Sequence, residues 1–250
     1  MPLEQTQKRD SLLNDATTQS TVVKAVTRNL AKKRLFDLSI ALAGAVVWIP
    51  AVAICALVLL VLNGRPIFYV SLRHVSLDRL LRVVKFRTMV RDADKVINRQ
   101  TVPITSQRFL NTPIDSPAYT RAGRIVERMH FTELPQLFHV LWGTMSIVGS
   151  RPLPSSVFYA LLQEYPHAGA RFDSPAGMTG LAQLIGREYV SDEDRLSLEA
   201  AYCQVCLTNY SPLLDFEILT KTLFTAIRLI PPMTLQDTQR LLEKYRAAKR

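Results

Sequence analysis

The sequence predicts a helix-rich α+β fold: a re-entrant membrane helix kinked at Pro50, and a small cytoplasmic body with a short β-hairpin and further helices, for which the apolar period leaves open the membrane interface or the core. Three observations lead to this fold class. A long uncharged apolar run lies at residues 38–62. Two β-branched and aromatic runs follow it, separated by a turn-like stretch. The rest of the chain alternates helix-length apolar patterns with proline- and glycine-rich connections.

The apolar run sets the membrane topology that we expect. Its 25 residues would form a helix about 37 Å long, enough for a bilayer core of roughly 30 Å. It is too long and too far from the N-terminus for a secretory signal. Pro50 lies at its midpoint, where it removes a backbone donor and predicts a kink.

Basic residues flank the run on both sides, with Lys32, Lys33 and Arg34 before it and Arg65 and further arginines after it. The positive-inside rule therefore places both flanks in the cytoplasm. We favour a re-entrant segment over an ordinary spanning helix, which stays the alternative.

Composition indicates an anionic partner. The formal net charge is +10 and 48% of the residues are hydrophobic, which fits a membrane surface, a phosphorylated substrate or nucleic acid. Three cysteines cannot build a disulfide framework, and a reduced compartment fits them. Cys203 and Cys206 form a lone C-x-x-C, read as two core thiols one helical turn apart or, less simply, as a metal or redox site.

The predicted organisation has four parts. Residues 1–21 form a flexible polar tail, 22–65 a basic helix with the membrane segment, 66–232 the cytosol-facing body, and 233–250 a basic C-terminal helix. Within the body, "RPIFYVSL" and "LLRVVKF" predict a hairpin and "TRAGRIVERM" a short helix. We expect "DSPAGMTGLAQLIGRE" to be a structured loop, and a helix beginning at Pro212 with Ser211 as its cap.

Seven ordered sequence blocks resemble the monotopic phosphoglycosyl transferases, bacterial sugar transferases that start exopolysaccharide, O-antigen and related glycan assembly. The resemblance covers about residues 30–230. The blocks are "KKRLFDLSIALAG", "GRPIFY", "VKFRTM", "TRAGRIVER", "ELPQLFHVLWGTMSIVGSRPLP", "AGMTGLAQLIGRE" and "YSPLLDFEILTKTL".

The resemblance implies transfer of a phosphosugar from a nucleotide-diphosphate sugar, in particular a UDP-sugar, to polyprenyl phosphate. A carboxylate forms a covalent phosphosugar intermediate, and Mg²⁺ spreads the charge of the diphosphate. The resemblance also implies a monotopic protein of the bacterial inner membrane, with a small catalytic body on the cytoplasmic face and interfacial helices. Its partners would be membrane lipid, the lipid carrier, the nucleotide-sugar and further members of a glycan assembly complex.

The chain departs from the family pattern at the positions that carry the chemistry. Thr132 stands where the family has the nucleophilic Asp, and Glu127 stands where it has an Arg. Thr144 replaces another acid, and Ser150 replaces a Pro. Because a Thr hydroxyl is a poor nucleophile without an adjacent base, these departures predict weakened or altered catalysis.

The matching positions give a set of candidate site residues. Thr132 and Glu133 are the catalytic candidates, and Glu133 is also the candidate ligand for Mg²⁺. Four cations are candidates for the substrate phosphates; each could instead lie on a solvated face or stabilise a turn. They are Lys85, Arg87, Arg151 and Arg187.

Three functional hypotheses follow. The first is an active phosphoglycosyl transferase, and the second is a catalytically impaired relative that acts as a partner or regulator in glycan assembly. The third is a nucleic-acid-binding membrane protein, suggested by charge alone. It is the weakest, because the cations are spread along the chain and no nucleic-acid module is recognisable. The sequence names neither the sugar nor the oligomeric state.

Overall fold

The structure is a computed structural model. It describes residues 2–91, 93, 112, 114–185 and 190–247, with side chains from residue 19 onward. Its α-helices are α1 (Pro2–Ala43), α2 (Ala45–Asn63), α3 (Arg121–Arg128), α4 (Gln136–Trp142), α5 (Ser155–Glu164), α6 (Leu181–Ile185), α7 (Asp192–Asn209), α8 (Pro212–Ala226) and α9 (Leu235–Ala247). The strands are β1 (Phe68–His74), β2 (Leu80–Phe86), β3 (Ser146–Val148) and β4 (Gly177–Thr179).

The two N-terminal helices are separated by a turn at Gly44, and Pro50 lies inside α2. The indole Nε1 of Trp48 donates to the carbonyl oxygen of Ala41 at 2.8 Å, which links α2 to the end of α1 across this turn. The kink predicted at Pro50 stays a prediction, since the interruption described here falls at Gly44. The residues predicted as a flexible tail lie in the first half of α1.

Helix α2 is long and apolar enough to cross a membrane by length and composition. One of its faces rests on the body. Trp48 packs edge-on against Phe138 of α4, with ring centroids 5.0 Å apart. Near the other end, Leu59 is fully buried beside Phe86 and Val126. The opposite face exposes a row of large aliphatic side chains, among them Val46, Val47, Ile54, Leu57, Val61 and Leu62.

The predicted hairpin is confirmed. Strands β1 and β2 are antiparallel, and Val70 pairs with Val84. Side chains alternate between the two faces of such a pair, so Tyr69, Arg73 and Lys85 share one face. Backbone hydrogen bonds in both directions between His74 and Leu153 attach the end of β1 to the loop after β3.

The main core lies between α1, α7 and α8 and contains a buried ion pair. Lys33 Nζ donates to Asp215 Oδ2 at 2.7 Å and to the Tyr202 hydroxyl at 3.0 Å. The hydroxyls of Tyr202 and Tyr210 donate to the two oxygens of Asp215. Cys203 and Cys206 are buried in α7, as expected for core thiols.

One local expectation was wrong, and a second is confirmed in position only. The stretch predicted as a structured loop contains β4, which pairs in parallel with β3, and then the short helix α6. Glycine at position 177 lets β4 lie close to the end of β3, because a Cβ on Gly177 would be 2.1 Å from the amide nitrogen of Gly149. Helix α8 does begin at Pro212, but the Ser211 side chain makes no capping hydrogen bond.

Candidate functional site

Glu133 and Arg151 form a two-bond ion pair at the centre of the candidate site. One guanidinium nitrogen donates to Glu133 Oε2 at 3.1 Å, and the other contacts Oε1. Both side chains are partly exposed, at 31% for Glu133 and 24% for Arg151. Despite burial, the Glu133 carboxylate raises the pKa of Arg151. The structure thus brings together the predicted metal-directing acid and one predicted phosphate-binding cation.

Thr132 is hydrogen-bonded to a carboxylate from another element. Its Oγ1 donates to Glu127 Oε2 at 2.6 Å, and Thr88 Oγ1 makes a longer contact of 3.5 Å with the same oxygen. Among the residues that the structure describes, none donates to the other oxygen, Oε1. Thr132 is only 6% exposed, whereas Glu127 is partly accessible to solvent.

The packing of α3 explains why Glu127 reaches this position. Thr120 caps the helix by accepting from the Gly123 amide at 2.9 Å. A Cβ on Gly123 would lie 1.9 Å from the Thr88 carbonyl oxygen, so this contact requires glycine. Glu127 follows Gly123 by one helical turn and lies on the same face. The close approach of α3 therefore directs Glu127 toward Thr88 and Thr132.

The segment after α3 turns back sharply. His130 has a left-handed backbone with φ of 58°, which is uncommon for a residue other than glycine. A short 3₁₀ turn at Phe131–Glu133 follows. This reversal places Thr132 against Glu127 while the next residue, Glu133, reaches Arg151.

Lys85 and Arg73 add positive charge from the hairpin. Burial and the nearby Arg73 lower the pKa of Lys85, while Glu133 and Glu127 partly oppose that shift. Burial and Arg151 likewise lower the pKa of Arg73. Lys85 Nζ also lies 5.3 Å from the centre of the Tyr69 ring. We call Arg73, Lys85, Glu127, Glu133 and Arg151 the site cluster; it holds three cations and two carboxylates.

Buried charged residues anchor the loop that carries Arg151. Arg171 is fully buried, donates to Glu199 at 2.5 Å and also donates to the Arg151 carbonyl oxygen at 3.0 Å. Burial would raise the pKa of Glu199, but Arg171 and Arg195 outweigh it and lower that pKa. The charged network therefore fixes the backbone of the site, leaving the Arg151 side chain directed at Glu133.

The remaining predicted residues lie apart from the site cluster or outside the described part. Arg87 donates to the carbonyl oxygens of Asn63, Gly64, Pro66 and Met89, and so stabilises the connection between α2 and the hairpin. Its role in phosphate binding stays a prediction. Arg187 lies outside the described residues.

Glu127 and Arg73 were not among the site residues predicted from the sequence. For Arg73 a signal existed, since the alternation of strand residues places it on the same face as Lys85. For Glu127 the signal was two departures from the family pattern. Glu127 adds a carboxylate where the family has an Arg, and Thr132, five residues later, removes the carboxylate of the family's Asp. Their spatial contact follows from the turn at His130, which no sequence period predicts.

The site cluster is suited to a diphosphate-bearing ligand. Its cations exceed its carboxylates by one, and guanidinium groups match phosphate geometry. No group of three or more metal-ligating side chains occurs in the described ranges. Mg²⁺, however, is commonly bound through one or two carboxylates together with substrate phosphates. Glu133 offers one such carboxylate, and its two oxygens also contact Arg151; its role as a ligand of Mg²⁺ stays a prediction.

A protein-family model matches most of this chain. The model described as bacterial sugar transferase matches residues 28–229. This range includes α2, the hairpin and every residue of the site cluster.

Several relatives are similar along most of this chain. The exopolysaccharide production protein ExoY of Sinorhizobium fredii is 32% identical over 202 residues, which cover 76% of this chain and 83% of that protein. The UDP-galactose-lipid carrier transferase of Erwinia amylovora is 32% identical over 83% of this chain and 44% of its own length. The undecaprenyl-phosphate glucose phosphotransferase of Komagataeibacter xylinus is 30% identical over 78% of this chain and 36% of its own length. The chain thus spans less than half of the last two relatives.

Proposed function

The chain belongs to the bacterial sugar transferase family, and from this premise we propose that it transfers a phosphosugar from a UDP-sugar to polyprenyl phosphate. The reaction takes place at the cytoplasmic face of the inner membrane and starts the synthesis of an exopolysaccharide or another surface glycan. The observation that carries the proposal is the site cluster, which joins cations and carboxylates from α3, the hairpin and the "GSRP" loop in one partly exposed place.

Each cation of the site cluster has a distinct role in the proposed reaction. Arg151 binds a phosphate oxygen of the donor with the part of its guanidinium not engaged by Glu133, and Glu133 fixes its orientation. Lys85 and Arg73 neutralise charge on the diphosphate from the hairpin side. Because the cluster is half-buried, these charges act with less solvent screening than at an open surface.

Mg²⁺ is proposed as the cofactor. Glu133 would direct it to the diphosphate. When bound, the ion would spread the charge that develops on the leaving nucleotide. Arg151 and Lys85 serve the same electrostatic end from the protein side.

The proposed location rests on how α2 meets the body. Its 19 residues span about 28 Å, yet contacts with the body occur near both ends. Trp48 contacts Phe138 near the start, and Asn63 donates to Thr120 at the end. A helix that crossed the bilayer would place one end on the far side. These contacts support a monotopic segment that enters one leaflet, with its exposed aliphatic face toward lipid.

The alternative of a non-catalytic partner rests on the departures from the family pattern, and two observations weigh against it. The named relatives include a lipid carrier transferase and a glucose phosphotransferase. The missing carboxylate at Thr132 is accompanied by Glu127 at hydrogen-bond distance. The site therefore retains two carboxylates.

Release of UMP tests the proposed activity. Purified full-length protein in detergent is mixed with undecaprenyl phosphate, Mg²⁺ and either UDP-galactose or UDP-glucose. We expect UMP release that depends on the lipid phosphate and stops with EDTA. A protein that releases no UMP from a panel of UDP-sugars, although it is folded, would contradict the proposed activity.

Accessibility of terminal tags tests the proposed topology. Tags at both termini of the protein are probed in intact spheroplasts and again after permeabilisation. We expect both tags to be protected until the membrane is opened. Labelling of one terminus in intact spheroplasts would show that the apolar segment crosses the bilayer, and would overturn the monotopic proposal.

A further inference from the structure

We propose that Glu127, in place of the residue at position 132, supplies the nucleophilic carboxylate of this protein. The inference rests on the proposed phosphosugar transfer and names the residue that performs its first step. Thr132 Oγ1 donates to Glu127 Oε2 at 2.6 Å. This contact puts a carboxylate oxygen within hydrogen-bond reach of the position where the family pattern has its Asp.

Glu127 is the better exposed member of this pair. Thr132 is 6% exposed, and its hydroxyl hydrogen is directed to Glu127. Glu127 is partly exposed, and its Oε1 receives no hydrogen bond from any residue described. Thr132 therefore holds one oxygen of Glu127 and leaves the other available to attack a phosphorus atom.

The chemistry of the second half-reaction also favours Glu127. A phosphosugar on Thr132 would be a phosphodiester, whose transfer to the lipid would expel an alkoxide. A phosphosugar on Glu127 would be an acyl phosphate, whose transfer expels a carboxylate, a much better leaving group. A two-step transfer that must release its own intermediate therefore needs the carboxylate.

Glu133 is less suited to this step because both of its oxygens contact the Arg151 guanidinium. Charge-assisted hydrogen bonds of this kind are roughly twice as strong as neutral ones. Because they draw electron density from the carboxylate oxygens, they make Glu133 a weaker nucleophile. The ion pair instead suits a residue that orients Arg151 and directs a metal ion.

The electron balance of the proposed steps is simple. Glu127 Oε1 forms a bond to the sugar-bearing phosphorus of the UDP-sugar, and the bond from that phosphorus to the bridging oxygen breaks. The electron pair leaves with UMP. An oxygen of polyprenyl phosphate then attacks the same phosphorus, the bond between that phosphorus and Glu127 Oε1 breaks, and its electron pair returns to the Glu127 carboxylate.

Trapping the intermediate tests this assignment directly. Full-length protein in detergent is mixed with UDP-galactose or UDP-glucose without lipid, then treated with hydroxylamine and digested with trypsin. Hydroxylamine converts an acyl phosphate into a stable hydroxamate but leaves a threonine phosphodiester intact. Trypsin separates the candidates, because Glu127 lies in the peptide 125–128, while Thr132 and Glu133 lie in the peptide 129–171, since trypsin does not cleave between Arg151 and Pro152. We expect the hydroxamate in the first peptide.

Variants give an independent readout. Glu127→Gln keeps the shape and can still accept from Thr132, and we expect UMP release to fall by more than about a thousandfold. Thr132→Val removes only the orienting hydroxyl, so a loss of roughly tenfold to hundredfold is expected, with the hydroxamate still on Glu127. The control is Glu193→Gln, on the exposed first turn of α7, which should retain full activity.

A double variant guards against a folding defect. Glu127→Arg with Thr132→Asp restores the family residues at both positions, and we expect it to recover activity with the hydroxamate in the peptide 129–171. A hydroxamate on Glu133 in the natural chain, an adduct on Thr132, or full activity of Glu127→Gln would overturn the assignment while leaving the proposed function intact. A natural chain that releases no UMP would overturn both.

Discussion

Lys33 and Lys85 both lie near carboxylates, yet their surroundings differ in burial and in the pairing of charge. Lys33 is 1% exposed. It contacts Asp215 directly, and the two tyrosine hydroxyls complete the hydrogen bonding of that carboxylate. Lys85 is half-buried, and no ion pair joins it to another residue in the described part of the chain.

The difference separates a structural cluster from a site able to bind an anion. In the core, Asp215 and Asp37 outweigh burial and raise the pKa of Lys33, so folding favours its charged form. In the site cluster, burial and Arg73 lower the pKa of Lys85, so folding disfavours its charged form. Because Glu133 and Glu127 compensate the charge of Lys85 only in part, an incoming phosphate would stabilise that charge.

Removal of the Lys33 charge should have the largest effect on stability. Lys33→Met leaves Asp215 buried without its cation, and we expect the free energy of unfolding to fall by about 3–5 kcal/mol. Denaturant unfolding in detergent, followed by circular dichroism, measures the loss.

The matched control is Lys32→Met, because Lys32 is the exposed neighbour on the same helix. It should change stability very little. Equal destabilisation by the two variants would mean that the Lys33–Asp215 pair does not hold α1 to α7 and α8.

Removal of the Lys85 charge should produce the opposite pattern. Lys85→Met should lower kcat/KM for the UDP-sugar roughly tenfold to hundredfold, while stability at neutral pH stays the same or rises. The rise follows because the folded state no longer has to hold a partly buried charge. Steady-state UMP release and denaturant unfolding, each with Lys32→Met beside them, measure the two effects.

The pH dependence sharpens the same comparison. Since the pKa of Lys85 is lowered in the folded state, the unfolded state binds more protons between that value and the ordinary 10.5. In this window the Lys85 contribution makes stability rise with pH, whereas affinity for the donor falls as Lys85 loses its charge. Lys85→Arg should shift the loss of affinity to higher pH; an unchanged pH profile would exclude Lys85 from donor binding.

The sequence predicted the elements of the body better than their contacts. The hairpin, α3 and the start of α8 were each predicted from local patterns and were found. The β3–β4 pair was missed because each strand has three residues, too few for a period to emerge. Among the site residues, the Glu133–Arg151 contact brings together two predicted positions that are separated by 18 residues.

The sequence by itself determined the family, the apolar segment with its basic flanks, and the loss of the carboxylate at position 132. These depend on residue identity and order, which need no coordinates. Only the tertiary structure placed the Glu127 carboxylate against Thr132 and both ends of α2 against one body. The reason is physical: such contacts depend on the fit of Gly123 against Thr88, the reversal at His130 and the burial of Leu59, which arise only when distant segments pack together.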